Sequence, residues 1–184
     1  MKKKLKLKSL HFAVGALVIG AFLPIFIKND YYMMVLNRVL INIIVVLGLN
    51  FITGLTGQMN LGTAGIFALG AYSSALFTRY TNLTPWLGLI AAVIMGILIG
   101  RGLGYPSLRV RGVYLSLTTI GFGEVVRLLI SNTPKFTGGT QGIRNIRPYN
   151  IGSYQIQSQK EMYYLFLVFT AIAFFIAWRI AYSK

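Results

Sequence analysis

The chain contains no cysteine, a single histidine and only three acidic residues among its 184 positions. Without cysteine, neither a disulfide framework nor a cysteine-based metal site can form. The acids Asp30, Glu124 and Glu161 are scattered, so the sequence lacks both paired catalytic carboxylates and the motif of a zinc protease. We therefore expect this chain to have no enzyme activity of its own, no catalytic residue, no metal site and no cofactor.

Charged residues make up only 11% of the chain, whereas hydrophobic residues make up 55%. An average soluble domain carries about 25% charged residues, so this chain has too little polar surface for a globule in water. Its net charge of +15 would indicate nucleic-acid binding in a soluble protein. Here the basic residues lie mainly between long apolar runs, as in membrane proteins. The composition therefore predicts an all-α polytopic transmembrane helix bundle with no nucleic-acid partner.

Six apolar runs of 17 to 22 residues divide the chain. About 20 residues of helix cross the roughly 30 Å of bilayer hydrocarbon, so each run predicts a transmembrane span. The first follows a lysine-rich start and is interpreted as a signal-anchor rather than a cleaved signal peptide. The runs are 10–27, 31–52, 59–77, 86–104, 113–131 and 162–178.

The distribution of Lys and Arg predicts the orientation of these spans. With the N-terminus in the cytoplasm, the inner segments carry ten basic residues and the outer segments six. Four of those six lie in the long segment 132–161, where charge has little influence on topology. We therefore predict that both termini are cytoplasmic and that 132–161 is an extracytoplasmic loop within a single transmembrane domain spanning residues 1–184.

Ionisable residues within the fifth run are costly in lipid and are therefore informative. Glu124 lies near the middle of this run, and Arg127 follows three residues later on the same helical face. One interpretation is an ionisable pair beside a substrate path. The other is a structural ion pair, Glu124 with Arg127, that fixes the helix within the bundle.

The segment 54–65 joins the second and third runs and is rich in glycine and polar residues. Such backbone is tolerated at membrane depth only where it is buried in protein or lines a watery cavity. We therefore predict that it lines a translocation path, with Gln58, Asn60 or Thr63 hydrogen-bonding the solute and with Gly57 and Gly62 allowing close approach of the backbone. The alternative interpretation is a tight cytoplasmic turn.

Small residues recur every four positions along the fourth run. Such a stripe allows close packing of transmembrane helices. The stripe predicts helix packing through Gly88, Gly96, Gly100 and Gly104.

Several ordered blocks resemble one known family, the branched-chain amino-acid ABC transporter permeases of the LivM type. The blocks are GLNF at 48–51, GLTGQMNLG at 54–62, GAY at 70–72, LRVRGVYL at 108–115, TIGFGEVVR at 119–127 and TGGTQGI at 137–143. The chain departs from the family pattern at Asn60 and Thr63, where Ser and His are frequent. It also stops about where the cytoplasmic coupling segment of the family begins, which predicts a C-terminally truncated permease.

The resemblance implies a subunit of an ATP-driven importer of Leu, Ile or Val in a bacterial or archaeal cytoplasmic (inner) membrane. It also implies as partners a second permease subunit, two cytoplasmic ATPase subunits, an extracytoplasmic solute-binding protein and membrane lipid. Two alternatives stay open: a permease for another small polar solute such as urea or a short amide, and a truncated, non-transporting membrane subunit. The predicted substrate pathway comprises Asn50, Gln58, Asn60, Thr63, Tyr72, Tyr114, Thr118, Thr119 and Glu124.

Overall fold

A computed structural model describes residues 15, 17–27, 29–55, 57, 60–81, 83–107, 112–151 and 154–182. The helices in this part of the chain are α1 (Leu17–Phe26), α2 (Asp30–Asn50), α3 (Thr63–Thr81), α4 (Pro85–Ser107), α5 (Val113–Asn132), α6 (Pro134–Thr137) and α7 (Gln159–Tyr182). A π-helical turn, Phe51–Leu55, follows α2, and a 3-10 turn, Gly139–Gln141, follows α6. Two short strands, β1 (Asn150–Ile151) and β2 (Tyr154–Gln155), form an antiparallel hairpin. The predicted all-α fold class is confirmed.

Four helical segments among the described residues are long and apolar enough to cross a membrane. They are Asp30–Gly54, Pro85–Gly104, Val113–Asn132 and Gln159–Ala181. They correspond to the second, fourth, fifth and sixth predicted spans. Helix α3 has 19 residues, about 28 Å of helix, but it carries Ser73, Ser74 and Thr78 and is less apolar. The total of six spans and the orientation of the termini therefore stay predictions.

Helix α3 begins four residues later than the apolar run predicts. The Gly62 N–H donates to Asn60 Oδ1 at 2.8 Å, closing a turn before the helix. The first helical bonds run from the N–H groups of Gly65 and Ile66 to the Gly62 carbonyl. A short polar side chain here competes with helical backbone bonding, so the helix starts after it.

The described residues form two compact units. The first unit draws on residues 1–48 and 157–184, and the second on residues 49–156. In the first unit the core is Met33, Leu40 and Tyr163, all buried. The buried Asn37 side chain donates from Nδ2 to the carbonyl oxygen and to Oε1 of Gln159, at 3.1 and 3.0 Å. These two bonds tie the middle of α2 to the start of α7.

In the second unit, α3 packs against both α4 and α5. A Cβ placed on Gly88 would lie 2.7 Å from the hydroxyl oxygens of both Ser74 and Thr78, so α4 approaches α3 closely at this point. A Cβ on Gly96, Gly100 or Gly104 would meet no atom within 4 Å among the described residues. Close packing of the predicted glycine stripe is therefore seen at Gly88, whereas a packing role for the other three stays a prediction.

The hairpin of the second unit is attached to the start of α4. Trp86 Nε1 donates to the Asn150 carbonyl at 2.6 Å, and the Trp86 ring meets the Tyr149 ring edge to face at 5.3 Å. The Ile156 N–H donates to the Tyr149 carbonyl at 2.8 Å. Burial of Tyr149 in this cluster raises the pKa of its phenol.

Candidate functional site

The start of α3 meets the middle of α5 at a tight contact, which we call the α3–α5 junction (residues 60–65 and 116–123). The Leu61 N–H donates to Thr119 Oγ1 at 3.1 Å, and this hydroxyl donates to the Ser116 carbonyl at 3.0 Å. Thr119 is buried, with 6% of its surface exposed. Its hydroxyl therefore satisfies a backbone donor ahead of α3 while remaining bonded within its own helix.

Two glycines allow the backbones to approach at this junction. A Cβ on Gly62 would lie 2.7 Å from the Thr119 carbonyl oxygen, closer than real Cβ contacts. A Cβ on Gly65 would lie 3.0 Å from Phe122 Cε1 and 3.1 Å from Gly123 Cα. The sequence predicts that Gly62 lets the backbone come close to a solute. In the structure, the group that comes close to Gly62 is the backbone of helix α5.

Thr63, the first residue of α3, carries a buried hydroxyl oxygen with no hydrogen-bond partner among the described residues. Buried polar atoms in folded proteins are nearly always paired, and each exception calls for an explanation. The start of a helix also carries a partial positive charge from its unpaired N–H groups. Within the described residues, the junction thus offers a hydroxyl without a partner beside an electropositive helix end, which suits a small polar or anionic group.

The remaining predicted pathway residues are dispersed. Gln58 lies outside the described residues. Asn50 is exposed at the end of α2, and Tyr114 and Thr118 are exposed near the start of α5, where the Thr118 hydroxyl donates to the Tyr114 carbonyl at 2.8 Å. The Tyr72 hydroxyl lies 3.9 Å from the position of a Cβ on Gly142, within the loop after α6. Among the predicted pathway residues, the structure brings together Asn60, Thr63 and Thr119, at the α3–α5 junction.

Glu124 and Arg127 form a bidentate salt bridge on α5. The Arg127 Nε donates to Glu124 Oε2 at 2.9 Å, and its Nη2 donates to Oε1 at 2.6 Å. The two side chains are 51% and 64% exposed, respectively. Pairing makes the two groups neutral overall, which reduces the cost of placing each in a membrane span. Whether the pair also serves transport stays a prediction.

Two contributors to the α3–α5 junction are absent from the residues predicted from the sequence. Phe122 supplies the ring that fits against Gly65, and the Ser116 carbonyl anchors the Thr119 hydroxyl. The spacing of Gly62 and Gly65, three apart at the start of a helix, is the signal that indicates such a contact. In the first unit, the amide of Asn37 within the largely apolar run 31–52 is the signal for the bonds to Gln159.

The family described as "Branched-chain amino acid transport system / permease component" matches residues 31–183. The chain belongs to this family. It is 41% identical over 135 residues to "High-affinity branched-chain amino acid transport system permease protein LivM" of Escherichia coli (strain K12). It is 40% identical over 135 residues to the protein of the same name of Salmonella typhimurium (strain LT2).

Each of these alignments covers 73% of this chain and 32% of the relative, so the chain spans about one third of the length of these curated relatives. No solved structure shows a significant match to the chain. As a member of the permease component family with several apolar membrane-length helices, the chain is a multi-pass membrane protein of a transport family.

Proposed function

We propose that the chain is a transmembrane permease subunit of an ATP-driven importer of the branched-chain amino acids Leu, Ile and Val. The family match over residues 31–183 and the names of the two relatives support this assignment. The structural observation that supports it is the buried Thr63 hydroxyl at the α3–α5 junction, which has no hydrogen-bond partner in the described part of the chain. A transport path needs polar contacts of this kind inside the membrane, few and weak enough to release the solute.

The chemistry of the junction fits one end of an amino acid. The Thr63 hydroxyl would donate to the solute carboxylate, and the electropositive start of α3 would favour the same negative charge. Gln58 and Asn60, which precede the helix, would supply further polar contacts. The segment 54–65 also requires glycine at position 57, because Gly57 has a φ of +67° that other residues rarely adopt.

The proposal includes partners and a location. A second permease subunit would complete the pathway, two cytoplasmic ATPase subunits would hydrolyse ATP on their own chains, and an extracytoplasmic binding protein would deliver the solute. The assembly would lie in a bacterial or archaeal cytoplasmic (inner) membrane. The words "transport system" and "component" in the family description support an assembly of several chains.

Changing Thr63 to Val tests the pathway. Because no partner of the Thr63 hydroxyl is found among the described residues, the variant should assemble normally. We expect Thr63→Val to lower uptake of radiolabelled leucine by roughly tenfold or more, the value of a hydrogen bond to a charged group, and Thr63→Ser to retain most uptake. The assay uses cells that express the chain together with its transport partners.

Thr81→Val is the matched control, since Thr81 is exposed at the other end of α3 and its hydroxyl donates to the Phe77 carbonyl of its own helix. Equal uptake by the Thr63→Val variant and the wild type, at equal assembly, would contradict the assignment of Thr63 to the path. Competition by excess leucine, isoleucine and valine is expected. Competition by urea or acetamide instead would favour the alternative solute class.

Cysteine labelling tests the proposed orientation in this cysteine-free chain. Thr140 is exposed, and we propose that it lies outside the cell. An impermeant thiol reagent should label Thr140→Cys in intact cells and should label Lys4→Cys and Ser107→Cys only after permeabilisation. The opposite labelling pattern would refute cytoplasmic termini.

A further inference from the structure

A basic pocket of about 740 Å³ lies in the second unit between the end of α3 and the loop after α5. Its lining residues are Arg79, Pro134, Lys135, Gly138, Gln141, Gly142, Arg144 and Asn145. The salt bridge found among the described residues joins Glu124 to Arg127, so Arg79, Lys135 and Arg144 have no carboxylate partner there. Glu124 is the one acidic residue in the sequence of the second unit and is paired with Arg127, so the pocket is open to an anion from another molecule.

Internal hydrogen bonds hold the wall of the pocket. The Thr137 hydroxyl donates to the Thr133 carbonyl at 2.8 Å and accepts from the Gly139 N–H at 3.1 Å. Arg144 Nη2 donates to Gln141 Oε1 at 2.5 Å, which fixes one of the three cations. The backbone beside the pocket is thus held by internal bonds, while its three basic side chains, Arg79, Lys135 and Arg144, are exposed.

An apolar groove of about 260 Å³ runs along α5 towards this pocket. Its lining residues are Val125, Leu128, Leu129, Asn132 and Thr133. The groove ends at Thr133, and the next residue, Pro134, already lines the basic pocket. Helix α5 is long and apolar enough to span the membrane and ends at Asn132, so the pocket lies at the level where lipid headgroups meet the protein.

We propose that the basic pocket and the apolar groove together bind one anionic phospholipid. The phosphate lies among Arg79, Lys135 and Arg144, because guanidinium groups bind phosphate oxygens in a bidentate manner. One acyl chain lies along Leu128 and Leu129. Lys and Arg side chains near an anionic membrane surface attract its headgroups by about 1 kcal/mol each. A soluble anion or an acidic protein surface would match the charge but would leave the adjoining groove without a role.

Native mass spectrometry of the full chain tests this proposal. The protein is titrated in detergent with phosphatidylglycerol and, separately, with phosphatidylcholine. We expect the wild type to bind phosphatidylglycerol more tightly. Arg79→Gln, Lys135→Gln and Arg144→Gln should each raise the apparent Kd for phosphatidylglycerol about fivefold and leave phosphatidylcholine binding unchanged. Arg147→Gln is the matched control: it removes one positive charge from the same loop at a residue outside the pocket lining, and it should leave both Kd values unchanged.

Four outcomes would overturn the proposal. Equal affinity of the wild type for the two lipids would exclude headgroup selection. If Arg147→Gln raised the apparent Kd for phosphatidylglycerol as much as the pocket variants do, binding would depend on the general surface charge and not on the pocket. Displacement of phosphatidylglycerol by an equal concentration of glycerophosphoglycerol, the deacylated headgroup, would indicate a site for free anions. Displacement by an acidic peptide at a comparable concentration would indicate a protein-docking site instead.

Discussion

Replacing Gly62 with alanine is expected to destabilise the second unit, although it adds only one methyl group. The new Cβ would lie 2.7 Å from the Thr119 carbonyl oxygen and 3.2 Å from Thr119 Cβ. Both neighbours belong to a packed helix, so the start of α3 must move and weaken the bond from the Leu61 N–H to the Thr119 hydroxyl. Overpacking of this kind costs about 1–3 kcal/mol. Thermal unfolding of the detergent-solubilised protein measures the loss as a lower melting temperature.

Gly70→Ala is the matched control on the same helix, because a Cβ there would meet no atom within 4 Å. It should be neutral or slightly stabilising, since alanine favours helix over glycine by about 1 kcal/mol. Gly62→Leu should lower the yield of folded protein further. If Gly62→Leu folds with a wild-type melting temperature and yet blocks uptake, the glycine borders the path and does not serve the junction with α5.

Replacing Arg127 with leucine is expected to reduce the amount of membrane-inserted, monodisperse protein severalfold. The change removes both hydrogen bonds to Glu124 and leaves a lone carboxylate near the middle of a membrane span. Glu124→Gln should be tolerated better than Glu124→Leu, because the amide can still accept a bond from Arg127. Size-exclusion chromatography of a fluorescent fusion measures the yield of each variant.

The double variant Glu124→Leu with Arg127→Leu separates the two interpretations of this pair. A structural ion pair predicts that the double variant recovers the yield that each single leucine variant loses. Full yield of all variants with lost uptake would instead assign the pair to transport. Wild-type yield and uptake throughout would exclude both roles.

The sequence predicts helices well where an apolar run has sharp polar borders. The run 113–131 and helix α5 differ by one residue, because Gly112 and Asn132 flank the run. The start of α3 was misplaced by four residues, because a local bond from the Gly62 N–H to the Asn60 side chain outweighs the apolar character of Met59 and Leu61. Hydropathy carries no information about such a bond.

The contacts of the candidate site were harder to predict. Leu61 and Thr119 lie 58 positions apart, and their bond depends on how α3 and α5 pack. The glycine stripe of α4 has a regular sequence spacing, yet within the described residues a Cβ would clash at Gly88 and would find open space at Gly96, Gly100 and Gly104. A repeat in the sequence gives the face of a helix but not the length over which a neighbouring helix covers it.

The bonds between Asn37 and Gln159 have a consequence for the order of synthesis. The two residues lie 122 positions apart, and at about 5–20 residues per second the ribosome needs about 6–24 s to pass from one to the other. During this interval α2 holds a polar amide in an apolar segment before its acceptor on α7 exists. The whole sequence of the second unit emerges in the same interval. The first unit therefore cannot complete its packing until the nascent chain has delivered α7.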